Sequence, residues 1–392
     1  MSQRAAFLLG AGVSIPAGFP STSDITKQVL SGEGVMRHSN RNYLFGEPMY
    51  GRPDKYVPKV TIFLNRLKIE IDLYYLYQSE RFTNYEDLYY VASQIEDSEH
   101  FEYDNPVVRP FIRKILSEVR ALLVHKGSAY EDKLDLGELA TETTRYIHNI
   151  VWQMLSKNPD RVDHLRCIKD TCLSNTYSGV DIFTLNHDTT LEQYFSQNDI
   201  QVVDGFDRDQ NSIRYWNPEI FDQFSKVRLF KLHGSVNWFR FRPDGGDWSN
   251  ESIGIPRDWD IWHIKDQHGK HQLPVDGKPE FLAGTFNKML NYTGGIYSEL
   301  HCQFHTSIKK ANTLITSGYS FRDKGINNRI IDWVFSAPGN RIILIHPDPA
   351  KLRQKARGSI SNKWDKWTKD KTLITIEKAI EDTEWQDILD CV

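Results

Sequence analysis

The chain has 392 residues and a formal net charge of -4 at neutral pH, a length that suits one large domain with an insertion or two domains. Hydrophobic residues make up 40% and charged residues 26% of the sequence, as in soluble globular proteins, and no apolar run approaches the ~20 residues that span a bilayer. The net negative charge gives no general attraction for nucleic acid. These properties exclude the membrane and general nucleic-acid-binding classes.

The cysteines and the first residues indicate a reducing cytoplasm. Cysteine occurs at four scattered positions, 167, 172, 302 and 391, which predicts neither a disulfide framework nor a zinc site, so we expect no metal. The apolar stretch near the start is short and runs directly into a glycine turn. We interpret it as a first strand and not as an export signal.

The first part of the chain predicts a strand, a tight turn and a helix, followed by a helical insertion. The apolar run Arg4–Leu9 ends at Gly10, and residues 24–30 have a helical pattern. A loop rich in glycine and proline comes next, and amphipathic patterns then predict helices over residues 60–78, 85–95, 107–124, 136–155 and 162–173. We predict that residues 31–175 form a helical insertion subdomain.

Beyond residue 175, short apolar runs alternate with helical segments. The runs cover residues 180–185, 227–232, 313–316 and 341–345. This rhythm predicts an α/β fold with a Rossmann-like, mostly parallel sheet that has helices on both faces. We assign residues 1–30 and 176–392 to this domain. Ligands of such sheets bind outside the carboxyl ends of the strands.

The first motif is the glycine turn after the first strand. Glycines let a backbone turn sharply and approach a diphosphate, whose charge is favoured by the free N–H groups of the next helix. A glycine turn after a strand is also common without any ligand. The residues that we predict to bind a nucleotide here are Gly10, Ala11, Gly12, Ser14, Gly18 and Pro20.

The second motif, Thr184-Leu185-Asn186-His187-Asp188, follows the run that begins at Val180. Asn and Asp commonly cap a following helix, but in an extended segment Asn186 and Asp188 also point to the same side. Both interpretations stand together.

The third motif is His233-Gly234 at the end of the run 227–232. A single histidine at a strand end is often structural, yet its ordinary pKa of ~6.5 makes it the best available base at neutral pH. The adjacent glycine permits close approach of a substrate.

Two further strand ends carry polar motifs. One has the sequence Ser317-Gly318-Tyr319-Ser320, with Asp323 and Asn327 downstream, and the other is His346-Pro347-Asp348. Either motif alone reads as a loop. Because each follows a predicted strand, we expect both to lie at the same edge of the sheet as the other motifs.

Together the five motifs resemble the sirtuin superfamily, whose pattern runs glycine turn, Thr-x-Asn-x-Asp, His-Gly, Gly-x-Ser and a final nucleotide-binding strand. The resemblance covers the first thirty residues and most of the chain beyond residue 180. It implies that Asn186 holds the ribose and a water, that Asp188 lies near the nicotinamide and that His233 is the base. It also implies that NAD contacts Ala11, Gly12, Ser14, Ser317 and Asp348, and we include Gly318, Tyr319, Ser320 and His346 in the same site.

The chain departs from deacylating sirtuins in two respects. The two cysteine pairs that hold zinc are absent, and Ser21-Thr22-Ser23 replaces the family's Asp-Phe-Arg. With these departures, the sequence GYSFRDKGIN and the helical insertion are similar to the sirtuin-like NAD-consuming proteins of bacterial antiphage defence. Some of those proteins are paired with a HerA-like ATPase.

The resemblance implies an NAD glycohydrolase that uses water as the acceptor and forms nicotinamide and ADP-ribose. We expect a homo-oligomer that acts with a HerA-like ATPase partner, because NAD destruction needs restraint. One alternative is a zinc-free deacylase or ADP-ribosyltransferase. Another is a non-catalytic NAD or ADP-ribose sensor, although the retention of Asn186 and His233 argues against it.

Overall fold

A computed structural model describes residues 4–46, 54–76, 81–102, 105–124, 134–207, 212–257, 259–285 and 287–392. The strands, in chain order, are β1 (Arg4–Leu9), β2 (Val35–Arg37), β3 (Tyr43–Phe45), β4 (Gly179–Thr184), β5 (Val202–Val203), β6 (Ile213–Tyr215), β7 (Val227–Lys231), β8 (Gly234–Pro243), β9 (Ser252–Pro256), β10 (Ile264–Lys265), β11 (His271–Phe281), β12 (Ala311–Ser317), β13 (Arg341–Ile345) and β14 (Leu373–Ile376).

The helices complete the element order. They are α1 (Thr22–Ser31), α2 (Val57–Tyr75), α3 (Tyr85–Glu99), α4 (Val108–Val119), α5 (Leu136–Leu155), α6 (Arg166–Leu173), α7 (Thr190–Gln197), α8 (Asn287–Asn291), α9 (Gly295–Ile308), α10 (Lys324–Ser336), α11 (Pro349–Lys355), α12 (Gly358–Ser361), α13 (Trp364–Lys369) and α14 (Trp385–Leu389). In the described ranges no helix is long and apolar enough to cross a membrane.

The central sheet is parallel and confirms the predicted fold class. Within the described residues it has seven strands in the order β14-β13-β12-β1-β4-β7-β5. Alternate residues of one strand belong to different cores: Leu8 and Phe183 pack in one cluster, whereas Phe7 and Ile182 pack in another. Because successive side chains of a strand point to opposite faces, the sheet is covered on both sides.

A smaller antiparallel sheet was not predicted from the sequence. In the part of the chain that is described, five strands pair in the order β10-β11-β8-β9-β6. Its longest pairing joins β8 and β11, with Gly234 opposite Phe281 at one end. The long strand β8 thus begins at the residue directly after His233.

The chain divides into two compact units. The first contains residues 1–19, 156–282 and 289–392, and the second contains 20–155 and 283–288. The predicted domain boundaries remain a prediction, but these units place α1 with the other helices and α6 with the sheet. Helix α5 has the predicted bounds, whereas the segment 162–173 divides into a short 3₁₀ turn and α6.

The second unit is mainly helical. Ser21 caps α1 by accepting from the backbone N–H of Asp24, whose carboxylate accepts in return from the Ser21 backbone. Ser21, the first residue of Ser21-Thr22-Ser23, therefore serves as the N-cap of α1. On α3, Tyr85 and Leu88 are buried.

Helix α2 has the exposed apolar side chains Ile62, Ile69 and Leu73, and Leu76 directly after it is also exposed. The predicted end of this helix at Gln78, together with Tyr77, lies outside the described residues.

Candidate functional site

The motifs lie at the carboxyl edge of the parallel sheet. From β1 the sheet continues through β4, β7 and β5 on one side and through β12, β13 and β14 on the other. The strand order therefore reverses between β1 and β12, and ligands of open α/β sheets bind at such switch points. The loops that follow these two strands contain the first and fourth motifs.

These two loops contact each other backbone to backbone. The Gly10 N–H donates to the Ser317 carbonyl at 3.0 Å, and the Gly12 N–H donates to the Gly318 carbonyl at 3.1 Å. A Cβ on Gly12 would lie 2.7 Å from the Gly318 Cα, and Gly318 itself has a φ of +65°. Packing of the two loops alone thus explains these three glycines.

The first and second motifs meet through their side chains. The Asn186 amide Nδ2 donates to the Ser14 hydroxyl at 2.9 Å. Both residues are buried. The Asn186 Oδ1 is also buried and has no hydrogen-bond partner among the described residues. An unsatisfied buried carbonyl costs about 1–3 kcal/mol, which indicates a site that is completed by a ligand or a water.

Asp188 forms contacts within its own loop. Its Oδ1 accepts from the Thr190 backbone N–H at 3.0 Å and from the Thr190 hydroxyl at 2.5 Å. The buried Lys231 ammonium contacts the Asp188 carbonyl oxygen and lies 2.8 Å from Glu192 Oε1. Asp188 thus bonds to Thr190, the first residue of α7, although the N-cap position of this helix is Thr189. Its contact with nicotinamide stays a prediction.

His233 lies at the end of β7 and is 3% exposed. Its Nε2 is 2.8 Å from the Tyr292 hydroxyl. That hydroxyl donates to Asp323 Oδ2 at 2.9 Å. The ring centroids of His233 and His187 are 6.3 Å apart, so the second and third motifs are also neighbours.

The fourth motif divides into buried and exposed residues. Ser317 is buried and Ser320 is exposed. The Tyr319 hydroxyl lies 2.8 Å from Asn327 Oδ1 and 3.2 Å from the Asp323 carbonyl oxygen. Burial raises the pKa of Tyr319 well above its ordinary value. Its side chain is therefore a neutral structural element within the loop.

The residues of the fifth motif form hydrogen bonds within the motif and with the start of α11. The Asp348 N–H donates to His346 Nδ1 at 2.9 Å, so the neutral ring carries its proton on Nε2. Burial lowers the pKa of His346. Asp348 also caps α11 by accepting from the Lys351 N–H at 2.9 Å. Its carboxylate is exposed.

The other predicted residues of the first loop occupy different environments. Ala11 is exposed, and Gly18 has a φ of +84° with the Asp160 carboxylate where a Cβ would lie. Pro20 is the first residue of the second compact unit. Contact of these residues with a nucleotide stays a prediction.

Two residues of the site were missed from the sequence. Lys231 is a buried cation at the end of β7, in which Arg228 is also buried, and charged residues within a short apolar run were a usable signal. Tyr292 carries no sequence signal, because it reaches His233 only through the tertiary fold. Across the described ranges, no group of three or more His, Cys, Asp or Glu residues is placed to hold a metal ion.

Comparison with known protein families gives a match, which covers part of the chain. Residues 180–368 match the family described as SIR2-like domain. This SIR2-like range contains Asn186, Asp188, His233 and the fourth and fifth motifs. No curated protein matches the chain at a significant level.

Solved structures of Sir2 homologues are similar to the chain at low identity. One is a Sir2 homologue in complex with NAD, with 12% identity, coverage of 100% of this chain and 90% of that chain, and a TM-score of 0.39. Another is a histidine-to-asparagine mutant of a Sir2 homologue in complex with ADP-ribose, with 12% identity, coverage of 100% and 92%, and a TM-score of 0.40.

Proposed function

We propose that the chain binds NAD and hydrolyses the bond between nicotinamide and ribose. The observation that carries this proposal is the buried, unpartnered Oδ1 of Asn186 beside Ser14. Asn186 follows β4, and His233 follows β7, the strand that pairs with β4. The SIR2-like match to residues 180–368 supports the same substrate. A polar acceptor that is buried without a partner suits a ribose hydroxyl or a water as its donor.

The proposed roles follow from the chemistry of these groups. Nicotinamide leaves as a neutral molecule with the electron pair of the broken C–N bond, so no acid is required. Water forms the new C–O bond, and His233 takes up the proton that water or a ribose hydroxyl loses. Asn186 positions the ribose and the water, and Asp188 lies near the nicotinamide. The loops at Ala11, Gly12, Ser14, Ser317 and Asp348 hold the remainder of NAD.

Water is the proposed acceptor because the chain lacks the cysteine pairs of zinc-containing deacylases. The buried Cys167 and Cys172 lie on α6, whereas Cys302 is exposed on α9. This arrangement supports the absence of a zinc module, and no metal takes part in the proposed reaction.

The test is an acceptor experiment. Purified protein is incubated with NAD in water enriched in oxygen-18, with and without an acyl-lysine peptide, and the products are analysed by mass spectrometry. We expect nicotinamide and labelled ADP-ribose at the same rate in both samples. Release that requires the peptide would identify a deacylase, and ADP-ribose on protein side chains would identify a transferase. Binding of NAD without release would identify a sensor.

We further propose that the active form is a homo-oligomer that acts with a HerA-like ATPase to deplete NAD in antiphage defence. The exposed apolar residues Ile62, Ile69 and Leu73 recur on one face of α2 and, with the exposed Leu76 directly after the helix, support assembly. Size measurement in solution tests this part. A monomer whose NAD hydrolysis changes neither with dilution nor with added ATPase would contradict it.

A further inference from the structure

Three polar side chains from distant parts of the first unit form a continuous chain of hydrogen bonds. His233 Nε2 is 2.8 Å from the Tyr292 hydroxyl oxygen, and this oxygen is 2.9 Å from Asp323 Oδ2. The direct separation between His233 Nε2 and Asp323 Oδ2 is 3.5 Å. The side chains of His233 and Asp323 are 4% and 11% exposed, so water does little to weaken these contacts.

The direction of each bond follows from the hydrogens that are present. An ionised carboxylate only accepts, and a tyrosine hydroxyl has a single hydrogen. The Tyr292 hydroxyl therefore donates to Asp323, and its oxygen accepts from His233 Nε2. It follows that Nε2 carries a hydrogen and that the neutral imidazole has its lone pair on Nδ1.

The surroundings fix the positions of Tyr292 and Asp323. The Tyr292 ring stacks on the buried His301 ring with a centroid separation of 3.7 Å. Asp323 caps α10 with its other oxygen, which accepts from the Ile326 N–H at 2.9 Å. Its carbonyl oxygen is 3.2 Å from the Tyr319 hydroxyl. Tyr319, which the sequence assigns to the NAD site, and Asp323, which follows it, thus also support the residue that reaches His233.

We propose that Tyr292 and Asp323 are positioning residues that hold His233 as its Nε2–H tautomer and stabilise its imidazolium form. When Nδ1 takes up a proton, Nε2 keeps its own hydrogen, and the new positive charge is balanced by the Asp323 carboxylate through the Tyr292 hydroxyl. A base oriented by a carboxylate in this way follows the logic of other acid–base sites. The role in turnover rests on the proposed function, in which His233 is the base.

The first experiment does not depend on activity. Full-length protein with nitrogen-15 in its histidines is studied by NMR, and the His233 signals are identified by their loss in His233→Gln. We expect a predominant Nε2–H tautomer in the wild type and a loss of this preference in Tyr292→Phe, which keeps the ring on His301. An unchanged tautomer in Tyr292→Phe would overturn the relay whether or not the protein hydrolyses NAD.

The second experiment measures steady-state hydrolysis of NAD. Tyr292→Phe and Asp323→Asn, which keeps an oxygen to cap α10, should each lower kcat about 10- to 100-fold with KM within about twofold. The double variant should be no worse than the more affected single variant, because the two residues act as one unit. Tyr215→Phe, in the small antiparallel sheet, is the matched control and should keep the wild-type kcat.

The outcomes separate the relay from the proposed function. A wild type that does not release nicotinamide contradicts the proposed function, while the tautomer measurement still decides the relay. A higher kcat in Tyr292→Phe would show that Tyr292 blocks His233 and would overturn the positioning role. Additive losses in the double variant would also contradict a single relay.

Discussion

The side-chain amide of Asn186 donates to the hydroxyl of Ser14 at 2.9 Å, across 172 residues of sequence. This bond joins the loop after β1 to the loop after β4, two strands that are neighbours in the parallel sheet. It uses only the amide nitrogen, and the carbonyl oxygen of the same side chain has no partner in the described structure. In the described structure, the side-chain amide of Asn186 therefore has a hydrogen-bond partner for its nitrogen and none for its oxygen.

We predict that Asn186→Ala loses turnover and keeps stability. The variant loses one hydrogen bond, worth about 1 kcal/mol, but it also removes a buried carbonyl whose lack of a partner costs about 1–3 kcal/mol. Its melting temperature should therefore equal or exceed that of the wild type. Loss of positioning should lower kcat about a hundredfold.

Asn340→Ala is the matched control for this variant. The Asn340 amide donates to the Trp333 carbonyl at 2.6 Å within the fold, so its removal should lower stability and leave kcat unchanged. A lower melting temperature in Asn186→Ala, together with unchanged turnover of bound NAD, would make Asn186 a structural residue.

We predict that Gly318→Ala costs more stability than Gly339→Ala. Both glycines have positive φ, +65° and +96°, but a Cβ at 318 would lie 2.5 Å from the Val13 nitrogen, whereas one at 339 meets nothing within 4 Å. Overpacking adds about 1–3 kcal/mol to the backbone strain that both variants share. Chemical denaturation measures the difference, and equal losses would contradict the close packing of the two glycine loops.

The stability of the protein should fall below neutral pH. Burial lowers the pKa of His301 from 6.5 to about 3 and also lowers that of His164. Between pH 3 and 6.5 the unfolded chain binds a proton at residue 301 that the folded chain does not bind. The free energy of unfolding therefore rises with pH in this window, by up to about 1.4 kcal/mol per pH unit for one such group.

The His301→Phe variant isolates this contribution. Phenylalanine keeps an aromatic ring against Tyr292 and cannot bind a proton. Denaturant titrations at several pH values should show a shallower slope between pH 4.5 and 6.5 for the variant, by up to one proton. The same slope in both proteins would show that residue 301 does not titrate on unfolding.

We predict that the purified protein contains no stoichiometric zinc. Cys167 and Cys172 are buried on α6, and burial raises the pKa of each thiol to about 12, which disfavours the thiolate that binds zinc. Elemental analysis after washing with a chelator measures the content. About one zinc per chain would contradict this prediction and would favour the deacylase alternative.

Local sequence signals marked five of the seven described strands of the central sheet and missed the edge strands β5 and β14. Apolar runs marked β1, β4, β7, β12 and β13, and polar or glycine residues after each run marked the candidate site. The small sheet was missed because its strands have no comparable apolar runs. Tyr292 was missed for another reason: its relation to His233 arises only when residues 59 apart in sequence are brought together by folding.

Some residues have two interpretations that sequence alone does not separate. Gly12 and Gly318 would allow a diphosphate to approach the backbone, but they also allow their two loops to pack closely against each other. Asp188 suits a contact with nicotinamide, but its carboxylate also accepts hydrogen bonds from Thr190, the first residue of α7. In each case the deciding quantity is a contact between side chains or loops that helical or strand periodicity does not encode.

The most direct test of the account is nicotinamide release from NAD by wild type and His233→Ala, measured by chromatography without any peptide. His263→Ala, which removes an exposed histidine of the small antiparallel sheet region, is the control. The account predicts release by the wild type and the control, and a loss of about a hundredfold or more in His233→Ala with an unchanged circular dichroism spectrum. No release by the wild type, or near-normal release by folded His233→Ala, would contradict it.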